Sequence, residues 1–331
     1  MKTEGTLVLQ RHEIAQLLTI EDCIAAVEHA FRVYGQRRAA APGMLAFHAR
    51  EGGFHIKAGF LELERSYFAA KVNGNYPGNG ERFGLPTIQG VIVLCNAENG
   101  SPLAVMDSME ITARRTAAAS AVAAKYLARP ESAVVTVCGC GVQGYAQVRA
   151  LRSVLPLRKV FAYDKDLERA RGFAQQMGSE LQVDISVARD LARAVGESDV
   201  CVTCTTSRVP VLMKADVPEG MFVAAVGADH PEKQELDPAL LSAATVVTDV
   251  TEQCAATGDL HHAVMSRVMQ SSDVHAELGE VVAGCKPGRR SSAEVIVFDS
   301  TGMALQDVAA AAVGYEKAIA AGMGLWVDFA A

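Results

Sequence analysis

The sequence predicts an α/β protein with a strand-rich α+β region followed by a Rossmann-type, doubly wound parallel sheet. Three observations lead to this fold class. Apolar strand-like runs broken by Asn-Gly and Pro-Gly pairs fill residues 52–106, strands and helices alternate from Ser132 onward, and the glycine-rich turn GCGVQG follows the first strand of that alternation. Half of the 331 residues are hydrophobic, which is enough for a large core.

The first region opens with an amphipathic helix over residues 19–37. Thr19 suits its N-cap, Asp22 follows three residues later, and Gly35 suits its end. Strands should come next, with turns at Asn73-Gly74, Pro77-Gly78 and Asn99-Gly100. The segments expected to form these strands are GGFHIKAGF, SYFAAKVNGNYP and TIQGVIVLCNAENGSPLAVM.

The second region opens with an alanine-rich helix, MEITARRTAAASAVAAKYLARP, which has no glycine and ends at Pro130. Strands and helices then alternate, as in βαβ units of a doubly wound sheet. The expected strands are AVVTVCG, KVFAYD, DVCVTCT, MFVAAVG and ATVVTDV, and the expected helices are VQGYAQVRALRSV and LERARGFAQQMG. A last strand and a long helix are predicted within EVIVFDSTGMALQDVAAAAVGYEKAIAAG.

Composition excludes several classes of protein. The formal charge is −7, and mixed acidic and basic residues leave no basic patch for nucleic acid. Charged residues break the N-terminal segment, so neither a signal peptide nor a membrane span is expected there. Eight cysteines without a secretion signal favour reduced thiols and a cytoplasmic protein, and no metal site is expected.

The turn GCGVQG fits the dinucleotide-binding pattern GxGxxG. Gly139 should form the tight turn, Gly141 should let the backbone approach a pyrophosphate, and Gly144 should let helix pack on strand. Val142 and Gln143 would then open a helix whose free N–H groups favour phosphate. Asp164 ends the next strand, 25 residues after Gly139, and a carboxylate there favours the ribose of NAD over the 2′-phosphate of NADP.

These residues, together with four further segments, resemble the ornithine cyclodeaminase and μ-crystallin family. The four segments are AAKVNGNYP, ITARRTAAASAVAAKYLA, AAVGADHPEKQELDP and FDSTGMALQD. The resemblance implies a Rossmann NAD-binding domain, residues 116–304, inserted into a substrate-binding and dimerisation domain formed by residues 1–115 and 305–331. It also implies a homodimer and an oxidoreductase acting on small amino or imino acids.

The resemblance carries over three residues that would perform the chemistry. Arg115 matches the arginine that binds the substrate carboxylate, although an arginine there could also form a surface salt bridge. Lys71 matches a substrate-facing lysine, although a lysine ending the run FAAK would ordinarily reach solvent. Asp229 matches the catalytic aspartate that exchanges protons with the substrate nitrogen or a water, and it could instead cap a helix starting at His230.

Further contacts follow from the same resemblance and from strand ends. Thr87 and Lys233 match cofactor contacts, and Ser300 and Thr301 match positions near the nicotinamide and the substrate, respectively. Strand ends add cofactor contacts at Thr205, Thr206 and Val226.

The sequence departs from the ornithine-specific pattern in its first region. No arginine lies at the expected spacing in APGMLAFHAR, where His48 is the nearest polar candidate, and GGFHIKAGF contains Lys57 but no acid where an acid is expected. With His230 beside Asp229, these residues favour an anionic substrate, such as iminosuccinate reduced to aspartate. Two alternatives stay open: an ornithine cyclodeaminase that makes proline and ammonia, and a μ-crystallin-like ligand-binding protein.

Overall fold

A computed structural model describes residues 5–39 and 42–329. Residues 1–4, 40–41 and 330–331, which the expected first domain includes, lie outside the described residues. The strands are β1 (Thr6–Leu9), β2 (Gly43–Ala49), β3 (Gly52–Glu62), β4 (Ser66–Asn75), β5 (Ile88–Asn96), β6 (Pro102–Asp107), β7 (Val134–Cys138), β8 (Lys159–Tyr163), β9 (Asp184–Val187), β10 (Val200–Thr203), β11 (Arg208–Leu212), β12 (Phe222–Ala225), β13 (Gln234–Leu236), β14 (Thr245–Thr248), β15 (Ala276–Glu277), β16 (Ile296–Asp299) and β17 (Leu325–Val327).

Helices lie between most of these strands. They are α1 (Arg11–Leu17), α2 (Ile20–Gly35), α3 (Asn79–Phe83), α4 (Ser108–Leu127), α5 (Val142–Arg152), α6 (Leu167–Leu181), α7 (Leu191–Gly196), α8 (Pro238–Ala243), α9 (Thr251–Thr257), α10 (Asp259–Met265), α11 (Leu278–Val282) and α12 (Ala304–Ala321). Among the described residues, no helix combines the length and the apolar character that a membrane crossing requires.

The chain divides into two compact units. Unit 1 comprises residues 1–115 and 303–331, and unit 2 comprises residues 116–302. The sheet of unit 1 has the strand order β17-β1-β6-β5-β4-β3-β2, and its pairs are antiparallel except β1 with β6. The long meander β2–β6 therefore forms the body of this unit.

One face of the unit 1 sheet is apolar along one part of its strands and polar along the other. We call it the Lys71 face, because directly opposite residues of antiparallel strands share a face and Lys57 lies opposite Lys71. On one side of Lys71 the face is apolar and fully buried, with Leu61 and Leu94, and the buried Ile92 lies directly opposite Lys71. A Cβ on Gly59 would touch Leu305, Ala304 and Val308 of α12, so this helix covers the apolar half.

The opposite face of the same sheet exposes large apolar side chains. They come from β2, β3, β4 and β5, where alternation places them away from Lys71. The exposed residues are Leu45, Phe47, Phe54, Phe68 and Val91. This surface is too apolar for an ordinary solvated sheet face.

Unit 2 contains a parallel sheet with the strand order β15-β14-β16-β12-β10-β7-β8-β9. Its central strands are fully buried and apolar except for polar residues at their ends, as expected for a sheet covered by helices on both faces. The predicted α/β fold with a Rossmann-type sheet and a separate strand-rich sheet is thus confirmed.

Several local predictions are confirmed and one is wrong. The helix α2 begins after Thr19 with the expected capping box to Asp22, and the turn at Asn99-Gly100 forms with Gly100 at φ +76°. The turn predicted at Asn73-Gly74 is wrong, because β4 continues to Asn75. Gly74 pairs with Phe54 on one side and with Gln89 on the other, and this two-sided pairing overrides the local turn preference.

Candidate functional site

The glycine turn of unit 2 follows β7 and starts α5. Gly139 has φ +104°, and a Cβ there would lie 2.8 Å from the Cys204 carbonyl oxygen, so only glycine fits. A Cβ on Gly144 would overlap the Gly139 carbonyl, so α5 can approach β7 only without that side chain. Nothing lies within 4 Å of a Cβ on Gly141, which leaves this backbone open to a ligand.

The first turn of α5 and the end of β8 complete a dinucleotide cradle. Val142 is 72% exposed, and the Gln143 carbonyl oxygen Oε1 is buried without a partner among the described residues. Asp164 is fixed by two backbone donors, because Oδ2 accepts Cys140 N–H at 2.9 Å and Oδ1 accepts Asp166 N–H at 2.9 Å. The remaining lone pairs of its carboxylate suit ribose hydroxyls, so the residues fit a dinucleotide.

Four buried carboxyl groups lie behind the carboxyl edge of the parallel sheet, and the sequence analysis missed all of them. Glu235 accepts Thr203 Oγ1–H and Gly227 N–H at 2.8 Å each and Thr205 N–H at 2.5 Å, so it ties the loops after β10 and β12 together. The four residues are Glu235, Asp249, Asp259 and Asp299, each 0% exposed.

These carboxyl groups are held by backbone N–H and hydroxyl donors rather than by cations. Burial raises the pKa of Glu235 and Asp259, and it raises the pKa of Asp299 to about 7. Asp259 Oδ1 accepts the N–H groups of Glu235 and Leu236 at 2.8 Å each, while its Oδ2 has no hydrogen-bond partner within the described ranges. Burial of this oxygen without a donor disfavours the charged carboxylate, in keeping with the raised pKa of Asp259.

The structure places the predicted strand-end residues along this edge. Thr205 is half-buried and Thr206 exposed after β10, Val226 is half-buried after β12, and Thr301 is buried after β16. The hydroxyl of Ser300 donates to Asp249 Oδ2 at 2.8 Å, so it is already engaged inside the protein.

Asp229 and Lys233 form an ion pair in the loop after β12. Lys233 Nζ lies 2.5 Å from Asp229 Oδ1 and also donates to the Gly227 carbonyl at 3.3 Å. The Asp229 side chain is 41% exposed and that of Lys233 is 19% exposed, so the pair can reach a ligand. The alternative that Asp229 caps a helix is wrong, since residues 230–233 are not helical. His230 Nδ1 accepts Glu232 N–H at 3.2 Å.

Unit 1 brings Lys71 and Arg115 together on a single carboxylate, Asp307 of α12. Lys71 Nζ donates to Asp307 Oδ1 at 2.8 Å, and Arg115 Nε donates to the same oxygen at 2.9 Å. Arg115 Nη1 donates to Gln306 Oε1 at 2.9 Å. Lys71 is 3% and Arg115 5% exposed, so Lys71 lies in the middle of a covered strand and does not reach solvent.

When Lys71 is protonated, this cluster carries one buried positive charge more than Asp307 compensates. Burial lowers the pKa of Lys71 to about 7, and Arg115 and Lys57 add to the effect. Burial alone would raise the pKa of Asp307, but Arg115 and Lys71 outweigh it and lower that pKa. No partner for Arg115 Nη2 occurs among the residues described, so one corner of the guanidinium is available to an anion.

The other predicted residues of unit 1 lie at different distances from this cluster. Lys57 is the direct cross-strand neighbour of Lys71 and shares its face. His48 lies on β2, on the same face, but it is exposed and opposite Gly53 rather than opposite a residue of the cluster. Thr87 is exposed and precedes β5. The structure thus groups Lys57, Lys71 and Arg115 and leaves His48 and Thr87 outside.

Asp307 and Gln306 are the residues of this cluster that the sequence analysis missed. They stand as a polar pair in the otherwise apolar run GMALQDVAAAAVGY. Charged residues are almost never fully buried unless they are paired, so an acid within a buried helix indicates a cationic partner. That signal identifies Asp307 but does not identify its partners, which are 236 and 192 residues away.

Comparison with known proteins covers nearly the whole chain. The sequence profile of the ornithine cyclodeaminase/mu-crystallin family matches residues 4–322. Alanine dehydrogenase of Archaeoglobus fulgidus is 40% identical over 324 residues, which cover 98% of each chain.

Two solved structures share the fold. An archaeal alanine dehydrogenase dimer with bound NAD gives a TM-score of 0.93 at 40% identity, covering 98% of this chain and 99% of that one. The iminosuccinate reductase of Paracoccus denitrificans in complex with NAD+ gives 0.89 at 34% identity, covering 98% and 100%. The predicted resemblance is confirmed, and the chain belongs to the ornithine cyclodeaminase/mu-crystallin family.

Proposed function

We propose that the protein is an NAD-dependent oxidoreductase that reduces a small α-imino acid to an L-amino acid. The observation that carries this proposal is the buried cluster of Lys71, Arg115 and Asp307. Two basic side chains share one carboxylate oxygen there, so the cluster has a net positive charge when Lys71 is protonated and attracts a further anion. The α-carboxylate of an amino or imino acid supplies that charge.

Binding of the carboxylate uses groups that the fold has already fixed. Asp307 and Gln306 orient the Arg115 guanidinium through Nε and Nη1, which leaves Nη2 to donate to the substrate. Lys71 provides a second positive charge at the same place when it is protonated. Because both cations are held before the substrate arrives, little side-chain entropy is lost on binding.

The reaction also requires a hydride and a proton. The nicotinamide of a bound NADH supplies the hydride, and relatives of this chain hold NAD in solved structures. Gly139, Gly141, Gly144 and Asp164 would hold the dinucleotide. Asp229 exchanges the proton with the substrate nitrogen or with a water, and Lys233 orients its carboxylate.

The substrate favoured by the sheet surface is a dicarboxylate such as iminosuccinate, whose reduction gives aspartate. Lys57 lies beside Lys71, and the residues that β2–β5 place on the Lys71 face include no acid that could bind a distal amine. One similar structure is an iminosuccinate reductase. The positive charge of Lys57 and Lys71 attracts a second carboxylate and repels the side-chain ammonium of ornithine.

The test measures the change in NADH absorbance when a panel of α-keto acids is supplied together with ammonia. Ornithine with NAD serves as the comparison. We expect oxaloacetate with ammonia to consume NADH stoichiometrically, and Asp229→Asn to lower this rate strongly. Turnover of ornithine to proline without net NADH change would instead identify a cyclodeaminase. Tight NADH binding without turnover of any member would identify a ligand-binding protein.

We propose that the active form is a homodimer. The face of the unit 1 sheet opposite Lys71 exposes Leu45, Phe47, Phe54, Phe68 and Val91, and a second copy of this chain is the occupant that would bury them. An alanine dehydrogenase of 40% identity is a dimer.

We also propose a cytoplasmic location. Within the described residues, which include all eight cysteines, no disulfide forms. A reducing compartment keeps thiols in this state.

A further inference from the structure

The polar half of the Lys71 face forms three rows that run across strands β2–β5. The first row contains Lys57 and Lys71, followed by Ile92 on β5. The second row contains His55 and Asn73, and the third contains His48. The second row is flanked by two small residues, Ala46 on β2 and Gly90 on β5.

The fold holds the Asn73 side chain in one orientation. Its Oδ1 accepts the hydroxyl of Ser108 at 2.6 Å, and Ser108 is 0% exposed at the start of α4. A Cβ on Gly90 would overlap both Asn73 Oδ1 and the Val72 carbonyl, so a glycine at position 90 is required for Asn73 to stay there. With its oxygen bonded to Ser108, the amide turns its Nδ2 group away from α4.

The Nδ2 group of Asn73 has two N–H donors and no acceptor within the described part of the chain. It is only half-buried, and it lies two residues along β4 from Lys71. Residues two apart on one strand are about 6.6 Å apart and face the same way. Asn73 is therefore the nearest open donor on β4 to the proposed carboxylate site.

We propose that Asn73 is a specificity residue whose Nδ2 amide donates to the side-chain carboxylate of a dicarboxylic imino acid. This assignment rests on the proposed function. The two carboxylate carbons of a four-carbon diacid are roughly 4 Å apart, since three C–C bonds of about 1.5 Å separate them. Side chains that converge from Cα positions 6.6 Å apart can therefore hold one carboxylate each, Lys71 and Arg115 the first and Asn73 the second.

The test compares two substrates that differ only in the distal group. Wild-type protein, Asn73→Ala and Asn73→Asp are assayed for NADH oxidation with oxaloacetate plus ammonia and with pyruvate plus ammonia. Loss of a hydrogen bond to a charged group should lower kcat/KM for oxaloacetate by about 10- to 100-fold in Asn73→Ala. Pyruvate should change by less than about 3-fold, because its methyl group makes no such bond.

Two controls keep the result interpretable. Asn73→Asp is isosteric and keeps an acceptor for Ser108, so it should fold and should disfavour oxaloacetate at least as strongly as Asn73→Ala. Gln89→Ala removes an exposed amide from the opposite face of β5 and should change neither substrate. Equal losses for both substrates in the Asn73 variants overturn the specificity role alone. A wild-type protein that reduces neither substrate overturns the proposed reaction, and this assignment with it.

Discussion

Replacement of Asp307 by Asn tests whether one carboxylate balances two buried cations. The side chains of Asp307 and Lys71 are 2% and 4% exposed, so solvent screens them little. Removing one partner of a buried ion pair costs about 3–5 kcal/mol of unfolding free energy, because the remaining charge is left uncompensated. We expect a loss in this range at pH 6, where both Lys71 and Arg115 are charged.

The penalty should be smaller at pH 8. Lys71, with a pKa of about 7, is then largely neutral in the native protein, and only Arg115 still needs the carboxylate. Asp307 raises the pKa of Lys71, so its removal lowers that pKa further. As the pH falls through about 7, Lys71 of the wild-type protein takes up its proton, whereas Lys71 of the variant resists protonation. The variant therefore loses stability relative to the wild-type protein in this pH range.

The assay is urea unfolding followed by the fluorescence of Trp326, which is the only tryptophan and lies in β17 of the same unit. A double-mutant cycle with Lys71→Met at pH 6 should give a coupling energy above roughly 1 kcal/mol. An Asp307→Asn penalty that is equal at pH 6 and pH 8, with a coupling below about 0.5 kcal/mol, would refute the reasoning.

Three further predictions concern other parts of the molecule. Asp164→Ala should raise the Kd of NADH about 10-fold and weaken the preference over NADPH, as measured by fluorescence titration; an unchanged Kd would exclude Asp164 from ribose binding. Burial, Arg115 and Lys57 lower the pKa of Lys71, so kcat/KM should fall as the pH rises through about 7. Lys57→Met should shift this fall in the pH profile to higher pH. A pH profile that does not shift would show that Lys57 does not affect the pKa of Lys71. The double variant Phe47→Glu/Phe54→Glu should reduce the light-scattering mass to that of a 35.0 kDa monomer, whereas a persistent dimer would assign the interface elsewhere.

Features with local causes could be predicted from the sequence. The capping box of α2 and the glycine turn depend on residues a few positions apart, and both form as expected. Arg115 was singled out through a motif, and its helix follows from an alanine-rich run without glycine.

Features that depend on strand register and long-range contacts could not be predicted. Lys71 looked like the charged end of a strand, yet β4 continues past it and α12 buries it through Asp307. Glu235 occurs in a polar loop sequence, and only the packing of the loops after β10 and β12 around it shows that it is buried. In both cases the environment of the side chain is made by segments that are distant in sequence.

The division of the Lys71 face into an apolar and a polar half bears on how such a protein can change its substrate. Tyr67 and Ala69 of β4 pack in the core, whereas Lys71 and Asn73 of the same strand lie at and beyond its border. A substitution at position 55 or 73 thus alters what the surface binds while leaving the apolar contacts of Tyr67 and Ala69 in place. Stability and specificity are encoded at separate positions of the same strands, so selection can act on one with little cost to the other.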